Sequence, residues 1–154
     1  MRIVLVCVGR LRGPPFADDV AHYERLLRRH ARLETHEVKE AGLDPGRRAE
    51  ALETEATALS RRIPEGAFVC ALDRDGEQLS SVELADFLEE RRRSGRDLGL
   101  IVGGPLGLAS QVIERADARL SLGSVTLPHQ LGRVVLLEQL FRAHKILAGE
   151  TYHY

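Results

Sequence analysis

The sequence lacks several features that define common classes of protein. No stretch approaches the ~20 consecutive apolar residues of a membrane span, and an apolar run begins right after Met1 and Arg2, without a separate signal-peptide region. A formal net charge of -1 excludes the general basic excess of many nucleic-acid-binding proteins, so any RNA contact must use local patches. The two cysteines, Cys7 and Cys70, lie in apolar runs, which favours buried thiols over a disulfide or a metal site. We therefore expect a cytoplasmic protein without a membrane segment.

Several catalytic and phosphate-binding motifs are missing as well. The glycines of 103–107 do not form the G-x-G-x-x-G pattern of dinucleotide-binding proteins, and no Gly-Lys-Ser/Thr follows them to complete a P-loop. Neither Ser121 nor Ser124 stands in the G-x-S-x-G context of a hydrolase nucleophile. The six histidines include no i, i+4 pair of zinc-site type, so we expect no metal.

Apolar runs and helical patterns alternate along the whole chain. Its 154 residues, 44% hydrophobic and 29% charged, fit one globular domain spanning 1–154. The sequence predicts buried strands at 3–8, 33–38, 68–72, 98–102 and 119–122, and helices at 16–27, 49–62, 80–95, 109–118 and 131–148. Parallel strands need crossover helices that cover both sheet faces. The pattern therefore predicts an α/β fold, a three-layer, mostly parallel sheet with helices on both faces.

Three predicted strands end in loops that are rich in small or polar residues. These loops follow Leu72, Val102 and Leu122, and in this architecture ligands lie outside the carboxyl ends of strands. Glycine lets a ligand approach the main chain closely, so two glycine-containing loops suggest a neutral pocket for a nucleoside-like ligand. The loops meet only if their strands are neighbours. Gly103 and Gly104 also fit a plain strand-to-helix turn.

The same segments resemble a known family. They are Leu72-Asp73, Ile-Val-Gly-Gly-Pro at 101–105, Leu-Ser-Leu-Gly-Ser-Val-Thr-Leu-Pro-His at 120–129, Leu-Phe-Arg-Ala at 140–143 and Tyr152-His153. Together they resemble the ribosomal RNA large subunit methyltransferase H family of the SPOUT superfamily, over the entire chain. The resemblance implies a C-terminal trefoil knot, a homodimer, and transfer of a methyl group from S-adenosylmethionine to N3 of a pseudouridine in 23S rRNA of the assembled ribosome.

The resemblance also implies site residues. The implied cofactor contacts are Leu72, Gly103, Gly104, Leu122, Gly123, Ser124, Val125, Thr126 and Leu127. His153 is expected to act as a base or to orient the nucleobase, with Tyr152 as a stacking or hydrogen-bonding partner. Arg142 is expected to contact RNA, whereas the alternative is an i, i+4 pair with Glu138. For the terminal Tyr-His, the alternative is a frayed chain end.

Two positions depart from the family pattern. Leu106 stands where the family commonly has an acidic residue, and the chain stops at Tyr154 where a basic residue commonly follows Tyr-His. These departures leave open an alternative, a catalytically silent nucleotide-binding or ribosome-binding module of the same fold. His129 could serve the site or simply satisfy a loop carbonyl.

Overall fold

A computed structural model describes residues 1–11 and 13–151 of the chain. Five strands form one parallel sheet in the order β2-β1-β4-β3-β5. The strands are β1 (Arg2–Val8), β2 (Arg32–Val38), β3 (Phe68–Gln78), β4 (Leu98–Val102) and β5 (Ala118–Ser121). The α-helices are α1 (Phe16–Leu27), α2 (Arg48–Ser60), α3 (Ser81–Ser94), α4 (Ser110–Arg115) and α5 (His129–Leu147), and a 3-10 turn spans Pro45–Arg47. The predicted α/β architecture is confirmed.

The strand β1, which lies between β2 and β4, is buried on both faces, which explains its uninterrupted apolar run. Ile3, Leu5 and Cys7 pack into a core with α1, α3 and α5 on one face of the sheet. The alternating residues, Val4 among them, pack into a second, smaller core with α2 and α4 on the other face. The helices therefore divide unequally, with three on one face and two on the other.

The strand β3 is longer than the sequence predicts. After Leu72 the chain bulges out over four polar or glycine residues and returns, so that Leu72 and Glu77 both pair with Leu120 of β5. A Cβ atom on Gly76 would lie 2.7 Å from the main-chain carbon of Leu120. The polar segment Asp-Arg-Asp-Gly gave no strand signal, because its place in β3 depends on the pairing of Leu72 and Glu77 with β5 on either side of it rather than on local preference.

The last two helices also begin or end away from their predicted positions. The predicted helix at 109–118 ends at Arg115, because the main-chain NH of Asp117 donates to the carbonyl of Val69 at 2.8 Å and so starts the pairing that leads into β5. The final helix begins at His129, two residues early, where the NH of Gly132 donates to the carbonyl of Pro128 at 2.9 Å.

Other local signals are confirmed. Ser80 Oγ accepts a hydrogen bond from the NH of Glu83 at 3.2 Å, and the Glu83 carboxylate accepts one from the NH of Ser80 at 2.7 Å. Gly95 ends α3 in a left-handed conformation with φ of 71°. Cys7 and Cys70 are free and buried, and burial raises the pKa of each thiol to about 12. Both cysteines are therefore neutral core residues.

Within the described ranges, no helix is both long and apolar enough to cross a membrane. No cluster of three or more His, Cys, Asp or Glu side chains suited to a metal ion occurs in that same part of the chain. The C-terminal trefoil knot and the single-domain organisation stay predictions.

The close contact between β5 and Gly76 predicts that a side chain at position 76 lowers the stability of the fold. Gly76→Ala should lower the free energy of unfolding by about 1–3 kcal/mol, because the added methyl overlaps main-chain atoms that cannot rotate away. In contrast, a Cβ on Gly132 would meet only Leu122 Cδ1 at 3.8 Å. Gly132→Ala should therefore be neutral or raise stability by up to about 1 kcal/mol. Urea unfolding of both variants tests the contrast, and equal midpoints would contradict it.

Candidate functional site

The three predicted loops meet, because their strands are neighbours. Leu72 of β3 pairs with Val102 of β4 on one side and with Leu120 of β5 on the other. The strands are parallel, so their carboxyl ends reach the same edge of the sheet. The convergence expected from the sequence is therefore present.

A cavity of about 760 Å³ opens at this edge. Such a volume lies within the usual range for small-molecule sites, roughly 300–1,000 Å³. Of the nine implied cofactor contacts all but Ser124 line it, namely Leu72, Gly103, Gly104, Leu122, Gly123, Val125, Thr126 and Leu127. Ser124 is exposed and lies outside the lining.

The glycines after β4 form the strand-to-helix turn that the sequence offers as one of two interpretations. A Cβ on Gly103 would lie 2.6 Å from the carbonyl oxygen of Gly107, and one on Gly104 would lie 2.7 Å from Val8 Cγ1. The space freed by the missing side chains is thus filled by the protein itself. The tight turn, closed by a hydrogen bond from the NH of Gly107 to the carbonyl of Gly104 at 3.0 Å, explains both glycines.

The loop after β5 has the open main chain that the sequence predicts. Ser121 Oγ donates to the carbonyl of Gly123 at 3.0 Å and lies 3.3 Å from its NH, which fixes the start of the loop. In the part of the chain that the structure describes, no hydrogen bond ties the peptide groups of 124–127 to other protein atoms. Val125, with 69% of its surface exposed, is the most exposed large apolar residue described. The loop after β5 can therefore form both polar and apolar contacts with a ligand.

Charged and titratable residues at the cavity were not implied as cofactor contacts. Asp73 is the one carboxylate among the described lining residues, and its side chain is 16% exposed. Its oxygen lies 3.8 Å from Arg119 Nη1, which is an ion pair but too long for a hydrogen bond. The Arg48 Nη2 donates to the Leu106 carbonyl at 3.3 Å. His129 also lines the cavity, without a hydrogen bond to any carbonyl of the described residues.

One of these residues had a usable sequence signal. Asp73 follows directly on the predicted end of β3, at the position where ligands lie in α/β proteins. Arg48 directly follows the 3-10 turn at Pro45–Arg47. Nothing in the sequence around it indicates a contact with residue 106.

The start of α5 is anchored by a buried ion-pair cluster. Arg133, with 7% of its side chain exposed, donates from Nη1 to Glu37 Oε1 at 2.6 Å and lies 3.6 Å from Glu24. Glu37 Oε1 also accepts a hydrogen bond from the NH of Leu11 at 3.3 Å. This cluster joins β2, α1 and the loop after β1 to the first turn of α5, which carries His129.

Arg142, which is predicted to contact RNA, does not line the cavity. Arg142 contacts Glu138 Oε1 through Nη2 at 2.7 Å and through Nε at 3.0 Å, so the i, i+4 pair named as the alternative is present. Arg142 lies ten residues beyond Gly132 on α5, about 15 Å along the helix axis from the cavity edge. Tyr152 and His153 lie outside the described residues.

Comparison with known proteins identifies the family. A family model described as predicted SPOUT methyltransferase matches residues 1–153. A protein from Rubrobacter xylanophilus named ribosomal RNA large subunit methyltransferase H is 53% identical, over 99% of this chain and 98% of its own length. A protein of the same name from Carboxydothermus hydrogenoformans is 40% identical, over 99% of each chain.

A solved structure supports the fold. The structure of a probable methylase family protein from Haemophilus influenzae superposes with a TM-score of 0.59 at 11% identity, covering 99% of this chain and 70% of that one. At that identity the likeness concerns the fold alone. With the family match over nearly the full length and relatives at 40% and 53% identity, the resemblance seen in the sequence is confirmed, and the chain belongs to the SPOUT methyltransferase family.

Proposed function

We propose that this protein uses S-adenosylmethionine to methylate N3 of a pseudouridine in 23S rRNA of the assembled ribosome, and that it acts in the cytoplasm as a homodimer. The names of its relatives support an rRNA substrate. The observation that carries the proposal is the cavity at the ends of β3, β4 and β5, because it collects nearly all residues implied as cofactor contacts.

The residues at the cavity fit S-adenosylmethionine. Leu72, Leu122 and Leu127 offer apolar contacts for an adenine ring, and the unbonded peptide groups of 124–127 offer hydrogen bonds to a nucleoside. Asp73 suits a cationic centre, while the guanidinium of Arg48 suits a carboxylate. The lining therefore offers groups that suit an adenosine, a positive centre and a carboxylate, all of which S-adenosylmethionine carries.

The chain's part in the chemistry is alignment and removal of one proton. S-adenosylmethionine supplies an electrophilic methyl group on a sulfonium. The N3 of pseudouridine carries a proton that must leave for the nitrogen to accept a methyl group, so a base has to reach it. We propose His153 for this task and Tyr152 for stacking on the base. His129 is a second imidazole, placed at the cavity by the first turn of α5.

The distance between Arg142 and the cavity supports a composite site. About 15 Å of helix separates them within one chain. The helix α5 is apolar on more than one side, and its last residue, Leu147, is 40% exposed. We propose that the Arg142 end of α5 and the Tyr152-His153 tail of one chain serve the cavity of its partner in the homodimer.

Cofactor binding should depend on Asp73. Asp73→Asn should weaken S-adenosylmethionine binding by about 10-fold to 100-fold, since a hydrogen bond to a charged group contributes roughly 1.5–3 kcal/mol. Asp86→Asn is the matched control, because Asp86 is exposed on α3 and does not line the cavity. Calorimetric titration measures both. Equal affinities for the two variants would contradict the role of Asp73.

Methyl transfer from labelled cofactor tests the substrate. We expect incorporation into assembled ribosomes, less into free large subunits and none into transfer RNA, with the product mapped to N3 of a pseudouridine by mass spectrometry. Incorporation into transfer RNA alone would overturn the substrate. Clear cofactor binding without any transfer would favour the silent binding module, which the leucine at position 106 leaves open.

Mixed dimers test the composite site. His153→Ala removes the proposed base. Thr126→Arg places a cation at the rim of the cavity, where it repels the sulfonium of the cofactor. Because Thr126 is exposed, its replacement should not disturb folding. Each homodimer should be inactive. Mixtures should recover up to about half of the wild-type activity per mixed dimer, since one intact site is rebuilt. No recovery, with mixed dimers verified by native mass spectrometry, would argue against shared sites.

A further inference from the structure

A second cavity, of about 540 Å³, lies on the sheet face that carries only α2 and α4. It exists because α2 presents the small residue Ala56 to the sheet and because α4 has only six residues. Ile63, Val69 and Ile101 form an apolar floor. The cavity is thus a gap in the second helical layer, separate from the cavity at the strand ends.

The rim of this cavity is positively charged. Arg61, at the end of α2, and Arg115, at the end of α4, both line it and are both exposed. Within residues 1–11 and 13–151, neither guanidinium has an ion pair or a hydrogen-bond partner, and no carboxylate lines the cavity. Most other arginines described, such as Arg47 and Arg92, form an ion pair with a glutamate or an aspartate.

The other polar groups at the rim do not supply a counter-charge. Thr57 Oγ1 donates to the carbonyl of Glu53, and Ser60 Oγ donates to the carbonyl of Ala56, so both hydroxyls are used inside α2. Asp117, which follows α4 closely, contacts Arg96 at 3.5 Å and accepts a hydrogen bond from the NH of Val69. The two free guanidinium groups and the Gln111 amide therefore remain as donors above an apolar floor.

We propose that Arg61 and Arg115 bind phosphodiester groups of the RNA substrate, with a ribose or a base against the apolar floor. This inference rests on the proposed function, which makes RNA the substrate. Val69 lies at the start of β3 and the cofactor cavity lies beyond Leu72, so the contact is made away from the methylated nucleotide. Its effect is to hold and orient the RNA while a different segment enters the cofactor cavity.

An RNA chain fits this surface better than a free anion does. Both arginines are exposed to water, where a single contact with a phosphate contributes little. Phosphates linked in one chain gain from an effective concentration that a free anion lacks, and each contact releases counterions. A protein with a net charge of -1 needs such a local basic patch to attract RNA at all.

The test removes both charges and measures RNA binding directly. The variant Arg61→Gln/Arg115→Gln is compared with the control Arg92→Gln/Arg93→Gln, which removes the same charge from α3 on the opposite sheet face. Binding to assembled ribosomes and to transcribed 23S rRNA is measured by co-sedimentation at several salt concentrations. We expect the first variant to bind about 10-fold more weakly, with a log-log salt slope reduced by about 1.4, which is two contacts at 0.7 each. The control should keep the wild-type slope.

Further measurements separate this inference from the proposed function. S-adenosylmethionine affinity should be the same in both variants and wild type, and Arg61→Lys/Arg115→Lys should restore most of the binding. If wild type binds adenosine monophosphate or inorganic phosphate saturably, the first variant should bind them equally well. Loss of such binding in the first variant would overturn the inference. Ribosome affinities and salt slopes equal to those of the control would overturn it as well. RNA binding is measured without methyl transfer. A protein that transfers no methyl group but still binds RNA through these arginines would therefore contradict the proposed reaction and leave this inference intact.

Discussion

The pairing of β3 with β4 on one side and β5 on the other is the constraint on which the site depends. Leu72 pairs with both neighbours, and this double pairing brings three carboxyl ends to one edge. After Leu72 the chain bulges and returns to the same residue of β5, which leaves Asp73 at the cavity and brings Gly76 against the main chain of Leu120. The bulge and the cavity are therefore two results of one pairing scheme.

The two sheet faces differ in how completely they are covered. The core under α1, α3 and α5 is large, and the buried cluster of Arg133, Glu24 and Glu37 locks α5 to it. Removing one member of such a cluster would leave a charge buried without compensation, which is costly. The α2 and α4 face has a smaller core and leaves a gap with a basic rim. One face thus holds α5 in place, while the other leaves a cavity with two exposed arginines at its rim.

Much of the site could be predicted from its sequence because its signals are local. A buried apolar run that is followed by small residues indicates where a strand ends. The eight cavity-lining residues implied by the resemblance all lie at such strand ends or in the loops after them. The residues missed at the cavity reach it by other routes. Arg48 belongs to a helix that meets the loop at Leu106 only in the folded chain, and the 3-10 turn before it carries no sign of this contact. The packing of Gly103 and Gly104 against Gly107 and Val8 was also not predicted, because it joins residues that only the folded chain brings together.

The sequence by itself determined the helices and strands, their order, and which strands end in loops of small residues. These signals are the hydrophobic periodicity, the capping box at Ser80 and the glycines that end helices, and each acts within a few residues. Only the tertiary structure decided which strands are neighbours, and with that whether three loops form one cavity. It also decided that β3 continues through polar residues, that Arg142 lies far from the cavity of its own chain, and that Arg61 and Arg115 share a rim. Pairing across a sheet joins residues that are distant in sequence, and no local preference encodes that choice.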